Sequence, residues 1–541
     1  MKYTRLILLG IIFIAIMLRF WNLGEIPSGM TEDEKIYIYN SYSIWHTQRD
    51  IAGEYLPLAF NHYNSFSPVP VYLIAPFVGL FDLSLFTARL PFAIMGVLDI
   101  WLLFLIAKRL FHKDSIALAS SAVLAISPWH LQFSRIAYDG AAALFFYLCG
   151  LYLFLRLKER GNILFSLPFF LLGFYSYHAT KIFLLVLVPI LLITYWSNLK
   201  ESMREVFLFI AGVLIILLSF LFVSSTQGVN RQQVLLYNDT ANLAKTVNTE
   251  REYSSAPDSL KPFFSNKISI VTRTIKENYL HAFSPEYLFI KGETGYSRFI
   301  YGTGMQGVMY LIELPILLLG IWYILHQKRR VRNLILAALL FAPVPAAITL
   351  DQSYGMRSIM MLPFLSILTG CGIVFIFIKT KAKRRVLHYV LLGLLLTGYL
   401  FSVSSNLYQY HFLYNQFSAE SWHRSSRDLA EYLADEGGQY KRIFVTANES
   451  FLLHYATYAR SEPKLTQKAY QSSLPINIGN VSLIGTCFDK NTAAYDPREH
   501  YPSGSLYIVN SDCHKKSVTE PIYKIIDRSE HLHPIWDVYK L

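Results

Sequence analysis

The sequence predicts a polytopic α-helical membrane protein with about eleven transmembrane helices, followed by a small extracytoplasmic α/β domain. Three observations lead to this fold class. Of the 541 residues, 53% are hydrophobic and only 16% are charged, whereas soluble domains carry about 25% charged residues. The apolar residues fall in runs of about 17–24, the length that spans a bilayer core. After residue 405 the composition becomes more polar.

The basic residues give these runs an orientation. Lys2 and Arg5 place the N-terminus in the cytoplasm, and Lys and Arg then cluster in every second loop, as the positive-inside rule requires. The long loops at 21–85 and 225–306 and the tail therefore lie outside. The first run, Leu6–Phe20, has no small-residue cleavage pattern, so we interpret it as a retained anchor. The predicted spans are 4–20, 86–107, 115–130, 140–156, 162–177, 180–196, 206–224, 307–326, 333–350, 358–378 and 386–405.

One further apolar run, Val69–Leu83, does not fit this topology. It is short and contains Pro70 and Pro76, and counting it as a span would reverse every later loop. We therefore predict a helix that lies at the outer surface or dips into it. The loop at 225–306 is too long for a simple connector, which is typical of a functional loop or a small fold.

The tail is predicted to be a separate α/β domain. Ser418–Asp435 is an amphipathic pattern ended by Gly437 and Gly438, Lys441–Ala447 indicates a strand, and Asn448 suits the N-cap of a second helix. Further strands are expected at 505–510, 521–526 and 534–539. The predicted division is a transmembrane catalytic domain at 1–405 and an extracytoplasmic domain at 406–541.

Charge and cysteine content exclude some function classes. The net charge of +12 could suggest a nucleic-acid partner, but the basic clusters lie where topology requires them, so no nucleic-acid binding is expected. Cys487 and Cys513 lie in the extracytoplasmic tail, where either a disulfide or two free thiols are possible. His and Cys do not cluster along the sequence, so a transition-metal or thiol mechanism is not indicated.

The acidic stretch Thr31–Lys35, in the first outer loop, is the strongest candidate for chemistry. Thr31 and Glu34 have the spacing of a helix capping box, and acids suit the first turn of a helix. This structural interpretation accounts for Glu34 but does not need Asp33. In the functional interpretation, Asp33 is a general base whose pKa is raised by partial burial beside a like charge. A carboxylate pair could also hold a divalent metal through oxygen.

Cations at the outer ends of the spans form a second candidate group. For any one of them, snorkelling to water or headgroups is the simpler interpretation. Five on one face indicate a site for an anionic lipid, such as one with a phosphate group. Arg135 is the first candidate, and Asp139 would share its face if the segment is helical. His178 lies beside Lys181 in a third outer cluster. The five cations are Arg19, Arg89, Arg135, Lys181 and Arg357.

Together these motifs resemble the GT-C superfamily of membrane glycosyltransferases, over residues 1–405. The resemblance rests on Asp33-Glu34 after the first span, Arg135 with Asp139 after the third, and Arg357 before a Leu-Pro span. Within the superfamily, the chain looks like bacterial members of the protein O-mannosyltransferase and aminoarabinose transferase branch. The stretches 281–289 and 357–363 carry that narrower likeness.

The resemblance implies transfer of a hexose or pentose from a polyprenyl-phosphate donor to a protein, glycolipid or glycan acceptor on the outer face, with inversion. Asp33 would be the general base, Glu34 its motif neighbour and Asp139 a second acid. Arg135, Lys181 and Arg357 would stabilise the leaving phosphate, with His178 beside them. A divalent metal remains possible. The implied location is a bacterial plasma (inner) membrane.

Two other classes of function compete with this one. A transporter or flippase for a lipid-linked sugar would fit many spans with boundary charges, but it predicts an internal repeat and Gly/Pro-broken span pairs. The sequence shows neither. A receptor or assembly factor could act through the tail, but eleven spans are more than an anchor needs.

Overall fold

A computed structural model describes residues 2–61, 64–156, 162–227, 235–350, 354–381, 385–485, 500–513, 520–526 and 534–541, together with residue 498. Within them the chain is mostly helical, and a small sheet domain lies near the C-terminus. The helices are α1 (Lys2–Phe20), α2 (Glu32–Thr47), α3 (Pro68–Leu80), α4 (Leu85–Phe111), α5 (Asp114–Ile126), α6 (Pro128–Phe133), α7 (Asp139–Phe154), α8 (Asn162–Phe165), α9 (Leu167–Ser176), α10 (Thr180–Leu199), α11 (Met203–Gln227), α12 (Thr240–Tyr253), α13 (Lys261–Phe264), α14 (Lys267–His281), α15 (Glu313–Leu325), α16 (Arg329–Phe341), α17 (Val344–Ala347), α18 (Tyr354–Arg357), α19 (Leu362–Lys381), α20 (Arg385–Tyr408), α21 (Tyr414–Phe417), α22 (Arg424–Glu436), α23 (Glu449–Tyr458) and α24 (Pro463–Tyr470).

The apolar helices agree with a multi-pass membrane protein. Each of the eleven predicted spans contains a helix. Shorter apolar helices also occur among the described residues, namely α3, α5, α7, α15 and the run Ile163–Ser176. The predicted fold class is therefore confirmed. Six described helical segments are long and apolar enough to cross a membrane: Tyr3–Phe20, Leu85–Phe111, Thr180–Gln227, Arg329–Ala347, Ile359–Ile378 and Val386–Phe417.

The proline-containing run of the first outer loop forms α3, which begins directly after Ser67 with Pro68 at its first position. At 1.5 Å per residue, its 13 residues extend about 20 Å, which is less than the bilayer core of about 30 Å. It packs against α2 and α4. These features agree with the predicted helix at the outer surface.

The C-terminal domain contains a six-stranded mixed sheet of order β4-β5-β3-β6-β8-β7. The central strand β3 runs parallel to both β5 and β6, and the other pairs are antiparallel. A separate two-residue pair, β1 and β2, lies in the first outer loop. The strands are β1 (Phe60–Asn61), β2 (Ser65–Phe66), β3 (Ile443–Val445), β4 (Ile476–Ile478), β5 (Val481–Leu483), β6 (Leu506–Asn510), β7 (Tyr523–Ile526) and β8 (Pro534–Lys540).

Most elements expected in the tail are present. α22 ends just before Gly437, and the Asn448 side chain caps α23 by accepting from the Ser450 N–H. α24 and the β4–β5 hairpin were not predicted. α20 continues through a π-helical turn, Gln409–Leu413, into α21, so the proposed boundary at 405/406 falls inside one helical segment. Cys513 is disulfide-bonded, and Cys487 lies outside the described residues.

The C-terminal domain packs directly on α2. The Tyr39 hydroxyl donates to the Ser461 carbonyl at 2.7 Å and lies 2.7 Å from the Thr466 hydroxyl. Just before α2, a Cβ at Gly29 would lie 2.0 Å from the Trp422 carbonyl oxygen, so no larger residue fits there. The helix that carries the acidic stretch is therefore held by both parts of the chain.

Candidate active site

The acidic stretch forms the first turn of α2. The Thr31 hydroxyl caps the helix by accepting from the Glu34 N–H at 3.2 Å, and it also lies 2.5 Å from the Tyr138 hydroxyl. Glu32, Asp33 and Glu34 follow in sequence. Because successive helical residues point about 100° apart, the three carboxylates face different directions. Each carboxylate therefore has its own surroundings.

Glu34 is locked in a buried ion pair with Arg89. Its two oxygens accept from Arg89 Nε at 2.8 Å and from Arg89 Nη2 at 2.9 Å, and Oε1 also accepts from the Ala137 N–H at 2.9 Å. Both charged side chains are fully buried. Glu34 was predicted as a catalytic residue, but its oxygens are committed to the fold and its side chain is closed to solvent. It is a positioning residue, and an Asp33–Glu34 pair does not fit a metal chelate.

Asp33 acts electrostatically on Tyr301, whose ring lies 5.9 Å from that of Tyr138. Burial, followed by the negative charge of Asp33, raises the pKa of Tyr301 well above its ordinary value. Tyr177 and Asp139 raise it further, and Arg357 acts in the opposite direction. The Tyr301 hydroxyl is thus within electrostatic range of two carboxylates and one guanidinium. Asp33 itself is partly exposed, unlike Glu34.

Asp139, the predicted second acid, is the first residue of α7 and is buried. Its Oδ2 accepts from the Tyr37 hydroxyl at 3.0 Å. Tyr37 lies one turn after Asp33 on α2, so it connects that helix to Asp139. Asp139 and Arg135 do not share a helix, because α6 ends at Phe133 and α7 begins at Asp139.

Arg135 was predicted to bind the donor phosphate, but its guanidinium is occupied by hydrogen bonds within the protein. Its guanidinium has five N–H donors, and five hydrogen bonds are present. Nε donates to the Tyr410 hydroxyl, and the other four bonds reach backbone carbonyls just before and after the end of α1. The side chain is fully buried. Arg135 therefore holds α1 in place and has no donor left for a ligand.

Two more of the five outer cations are also structural. Arg19 donates to the carbonyls of Ala15 and Ala125 and contacts His130 Nδ1 at 2.7 Å. Arg89 pairs with Glu34, as described above. Only Lys181 and Arg357 of the five are partly exposed. The phosphate prediction therefore rests on those two residues.

Lys181 and His178 lie together at the start of α10. Lys181 Nζ is 3.2 Å from His178 Nδ1 and 4.7 Å from the centre of the Phe220 ring. It also lies over Phe174 and Tyr175 at 5.4 and 6.0 Å. The partly exposed Lys181 ammonium therefore lies at a mostly apolar surface formed by aromatic rings.

An apolar groove of about 540 Å³ adjoins this cluster. Tyr175 belongs to both, since its ring contacts Lys181 and also lines the groove. Side chains of α3, α7, α9 and α11 form the walls, and the lining is almost entirely apolar. The lining residues are Leu58, Pro68, Val69, Tyr72, Leu73, Phe146, Leu171, Leu172, Tyr175, Ser219, Phe222 and Val223.

Glu293 in the second outer loop was not predicted. Its carboxylate accepts from the Ser297 hydroxyl at 3.0 Å and from the Gly355 N–H. Burial raises the pKa of Glu293 to about 7, while Arg357 acts to lower it. Glu293 therefore lies close to the backbone and charge of α18, which carries Arg357. Tyr37 and Tyr301 were missed as well, because single residues without a motif give no sequence signal.

Comparison with known proteins gives one family match. Residues 65–224 match the model of the dolichyl-phosphate-mannose-protein mannosyltransferase family. The matched region contains Asp139 and Lys181 but neither Asp33 nor Arg357. No curated protein matches the sequence.

The solved structure of ArnT from Cupriavidus metallidurans bound to undecaprenyl phosphate is similar over nearly the whole chain. It is 14% identical, and the alignment covers 98% of this chain and 97% of ArnT with a TM-score of 0.53. The chain has the GT-C glycosyltransferase fold. At this level of identity the similarity shows the fold, and the family model, which covers residues 65–224, agrees with a membrane protein of this kind.

The solved structure of the oligosaccharyltransferase of Archaeoglobus fulgidus in the apo form is also similar to part of the chain. It is 14% identical with a TM-score of 0.49, and the alignment covers 84% of this chain. This chain spans only 64% of the length of that protein.

Proposed function

We propose that this chain transfers a sugar from a polyprenyl-phosphate-linked donor to an acceptor on the outer face of the membrane, with inversion and with Asp33 as general base. The observation that carries the proposal is the contact of the first turn of α2 with Tyr138 and Tyr301: the Thr31 hydroxyl lies 2.5 Å from the Tyr138 hydroxyl, and the Tyr138 and Tyr301 rings are 5.9 Å apart. Asp33, Asp139 and Arg357 all act electrostatically on Tyr301, which supports a shared site for a candidate base on α2 and a candidate phosphate-binding cation on α18.

The location of Asp33 suits a general base. A base must reach the proton that it removes, so its carboxylate has to remain accessible. Asp33 is partly exposed, whereas Glu34 is fully buried.

The apolar groove beside Lys181 suits the lipid part of the donor. An isoprenoid chain has no hydrogen-bonding groups, so an apolar groove can hold it without leaving polar groups unpaired. Lys181 at one end of the groove would then meet the phosphate. ArnT, which shares the fold, has been solved with undecaprenyl phosphate, and this supports the same class of lipid here.

The reaction is a single displacement. The acceptor hydroxyl oxygen forms a bond to the anomeric carbon while the bond from that carbon to the phosphate oxygen breaks. The phosphate leaves with the bonding electrons, and the hydroxyl proton passes to Asp33. One displacement inverts the anomeric configuration. Arg357 and Lys181 stabilise the negative charge of the polyprenyl phosphate as it leaves.

Family resemblance leaves a divalent metal possible, but the Asp33–Glu34 pair is unsuited to bind one because Arg89 and the Ala137 N–H occupy Glu34. The acceptor is a protein, glycolipid or glycan. The basic inner loops support a cytoplasmic N-terminus and a catalytic face on the outside of an inner membrane.

The test is sugar transfer by purified protein in detergent, from a panel of polyprenyl-phosphate sugars. Wild type should cleave one donor, and Asp33→Asn should not, while remaining folded by size-exclusion chromatography. Asp82→Asn, an exposed acid of the same outer loop, is the matched control and should retain activity. Near-normal transfer by Asp33→Asn would refute the general-base assignment. Donor binding without cleavage by wild type, with acceptors supplied, would favour a transporter.

A further inference from the structure

Glu32 meets two histidines of the C-terminal domain. Glu32 Oε1 lies 3.4 Å from His423 Nε2 and 3.9 Å from His454 Nε2. The two imidazole rings are 5.1 Å apart, centre to centre. One donor atom from each of the three residues lies within 4.8 Å of the others. These residues come from α2, from the residue before α22, and from α23, so only the folded chain brings them together.

The histidines have few other interactions. His454 is 2% exposed, and neither of its ring nitrogens has a hydrogen-bond partner among the described residues. His423 Nε2 is also buried without such a partner there. A buried polar atom left without a partner costs about 1–3 kcal/mol. Three buried imidazole nitrogens that lack a hydrogen-bond partner among the described residues, close to one carboxylate, therefore indicate a missing ligand.

The backbone at His423 adds a second observation. This residue has φ of 49°, in the left-handed region that non-glycine residues seldom adopt. Such a conformation persists only where surrounding contacts over-determine it, and it is often found at functional sites. Here it places the His423 ring against Glu32 and His454.

All three side chains line a cavity of about 330 Å³ between α2 and the C-terminal domain. Ser450, Asn448 and Thr446 also line it, so its wall is partly polar. A site with three protein ligands beside such a cavity has room for water or another small ligand in the remaining coordination position.

We propose that Glu32, His423 and His454 form a site for one divalent transition-metal ion, with Zn²⁺ as the best-fitting ion. Two imidazoles and one carboxylate form a ligand set that Zn²⁺ takes when a fourth position stays open. Mg²⁺ and Ca²⁺ prefer oxygen ligands only. With bonds of about 2.0–2.1 Å, tetrahedral ligands lie about 3.3–3.4 Å apart, close to the 3.4 and 3.9 Å observed.

Lys35 is the competing cation. Its ammonium lies 2.7 Å from Glu32 Oε2 and donates to the Ser450 carbonyl and hydroxyl. The histidines approach the other oxygen, Oε1, to which the Ser450 hydroxyl also donates at 2.9 Å, so the metal and Lys35 would use different atoms of the carboxylate. Lys35 and Ser450 would hold Glu32 from behind, as outer partners of metal ligands do.

The metal would join the C-terminal domain to the helix that carries Asp33. Glu32 immediately precedes Asp33, so a metal bond to Glu32 would restrain the first turn of α2. This inference does not depend on sugar transfer, because metal binding and domain docking are measured without a substrate.

The test uses the purified full-length protein, stripped with a chelator and titrated with Zn²⁺ alone. Wild type should bind one equivalent with a Kd at least tenfold lower than that of His423→Gln or His454→Gln. Bound zinc is measured by elemental analysis and affinity by competition with a chromophoric chelator. His326→Gln, an exposed histidine at the end of α15, is the matched control and should bind as wild type. Replacing Zn²⁺ with Co²⁺ should give wild type a visible absorption band that the two variants lack.

Two results would overturn the proposal. One is folded wild type that binds no zinc above the level of the His454→Gln variant. The other is a Co²⁺ band that persists in both variants. Either result would make the cluster a polar junction of Lys35, Glu32 and the two histidines. Failure here would leave Asp33-dependent transfer intact, and loss of the transfer proposal would leave zinc binding unchanged.

Discussion

The substitution Glu34→Gln tests whether the role of Glu34 is structural or catalytic. The substitution keeps the shape of the side chain but removes its charge. Arg89 then remains fully buried, with neutral carbonyls as its other partners at 2.6–3.3 Å. Breaking a buried ion pair from one side costs about 3–5 kcal/mol. Because the Gln oxygen can still accept one bond from Arg89, we expect the lower end of this range, about 3 kcal/mol.

That loss is measurable as a shift in thermal unfolding of the protein in detergent. In a chain of this length, 1 kcal/mol corresponds to a shift in Tm of roughly 2 °C or less, so Glu34→Gln should lower Tm by up to roughly 6 °C. Glu25→Gln is the control, since Glu25 is exposed and its pairing with Arg427 lies at the surface. Surface pairs contribute about 0–1 kcal/mol, so Tm should hardly change.

A double variant sharpens the test. Glu34→Gln combined with Arg89→Met removes both charges, and it should be more stable than Glu34→Gln alone because no unpaired buried charge remains. Transfer activity should follow stability in this series. If Glu34→Gln unfolds like wild type yet loses all transfer, Glu34 takes part in the chemistry, and its assignment as a positioning residue is wrong.

Three further predictions concern single residues. Arg135→Lys should lower Tm, because one ammonium cannot replace the five hydrogen bonds of the guanidinium. The KM for the donor should be unchanged in the folded fraction, and a raised KM with a normal Tm would instead support phosphate binding by Arg135. Lys181→Met should raise the KM for the donor about tenfold or more with little change in Tm, measured by initial rates; an unchanged KM would exclude Lys181. Burial raises the pKa of Glu293 from 4.5 to about 7 in the folded protein, so its contribution to stability is complete below pH 4.5 and is lost as the pH rises to about 7. Over this interval the free energy of unfolding of wild type should fall by up to about 3 kcal/mol, whereas that of Glu293→Gln should not show this fall. Chemical unfolding at several pH values measures the difference, and parallel curves for the two proteins would contradict the prediction.

The sequence predicted the helices well because each has a local signal. Apolar runs, a capping threonine at α2 and Gly437 after α22 are read from neighbouring residues. The roles of the arginines depend on distant partners, and so could not be read in this way. Arg135 at the outer end of a span looks like a phosphate ligand, but its partners lie more than one hundred residues away on α1. The short α24 and the β4–β5 hairpin were missed because few residues define each of them.

The cluster of Glu32, His423 and His454 shows even more clearly that contacts between distant residues cannot be read from local sequence. His423 and His454 are 31 residues apart, and Glu32 is almost 400 residues before them, so no spacing pattern exists. His and Cys do not cluster in the sequence, so a transition-metal site was not expected, whereas the fold brings Glu32, His423 and His454 together. The cluster arises only when the C-terminal domain packs on α2, which also places the otherwise unexplained Glu32.

Glu32 and Glu34, on either side of Asp33 at the start of α2, together fix the position of Asp33. Glu34 fastens the helix to α4 through Arg89, and Glu32 fastens it to the C-terminal domain through Lys35, Ser450 and the histidines. Asp33 is covalently bound between these two anchors, so its position is set from both sides before substrate arrives. Groups held in position beforehand lower the entropic part of a reaction barrier. A carboxylate held between two anchored neighbours thus suits the general base that we propose, with Glu32 and Glu34 as its anchors.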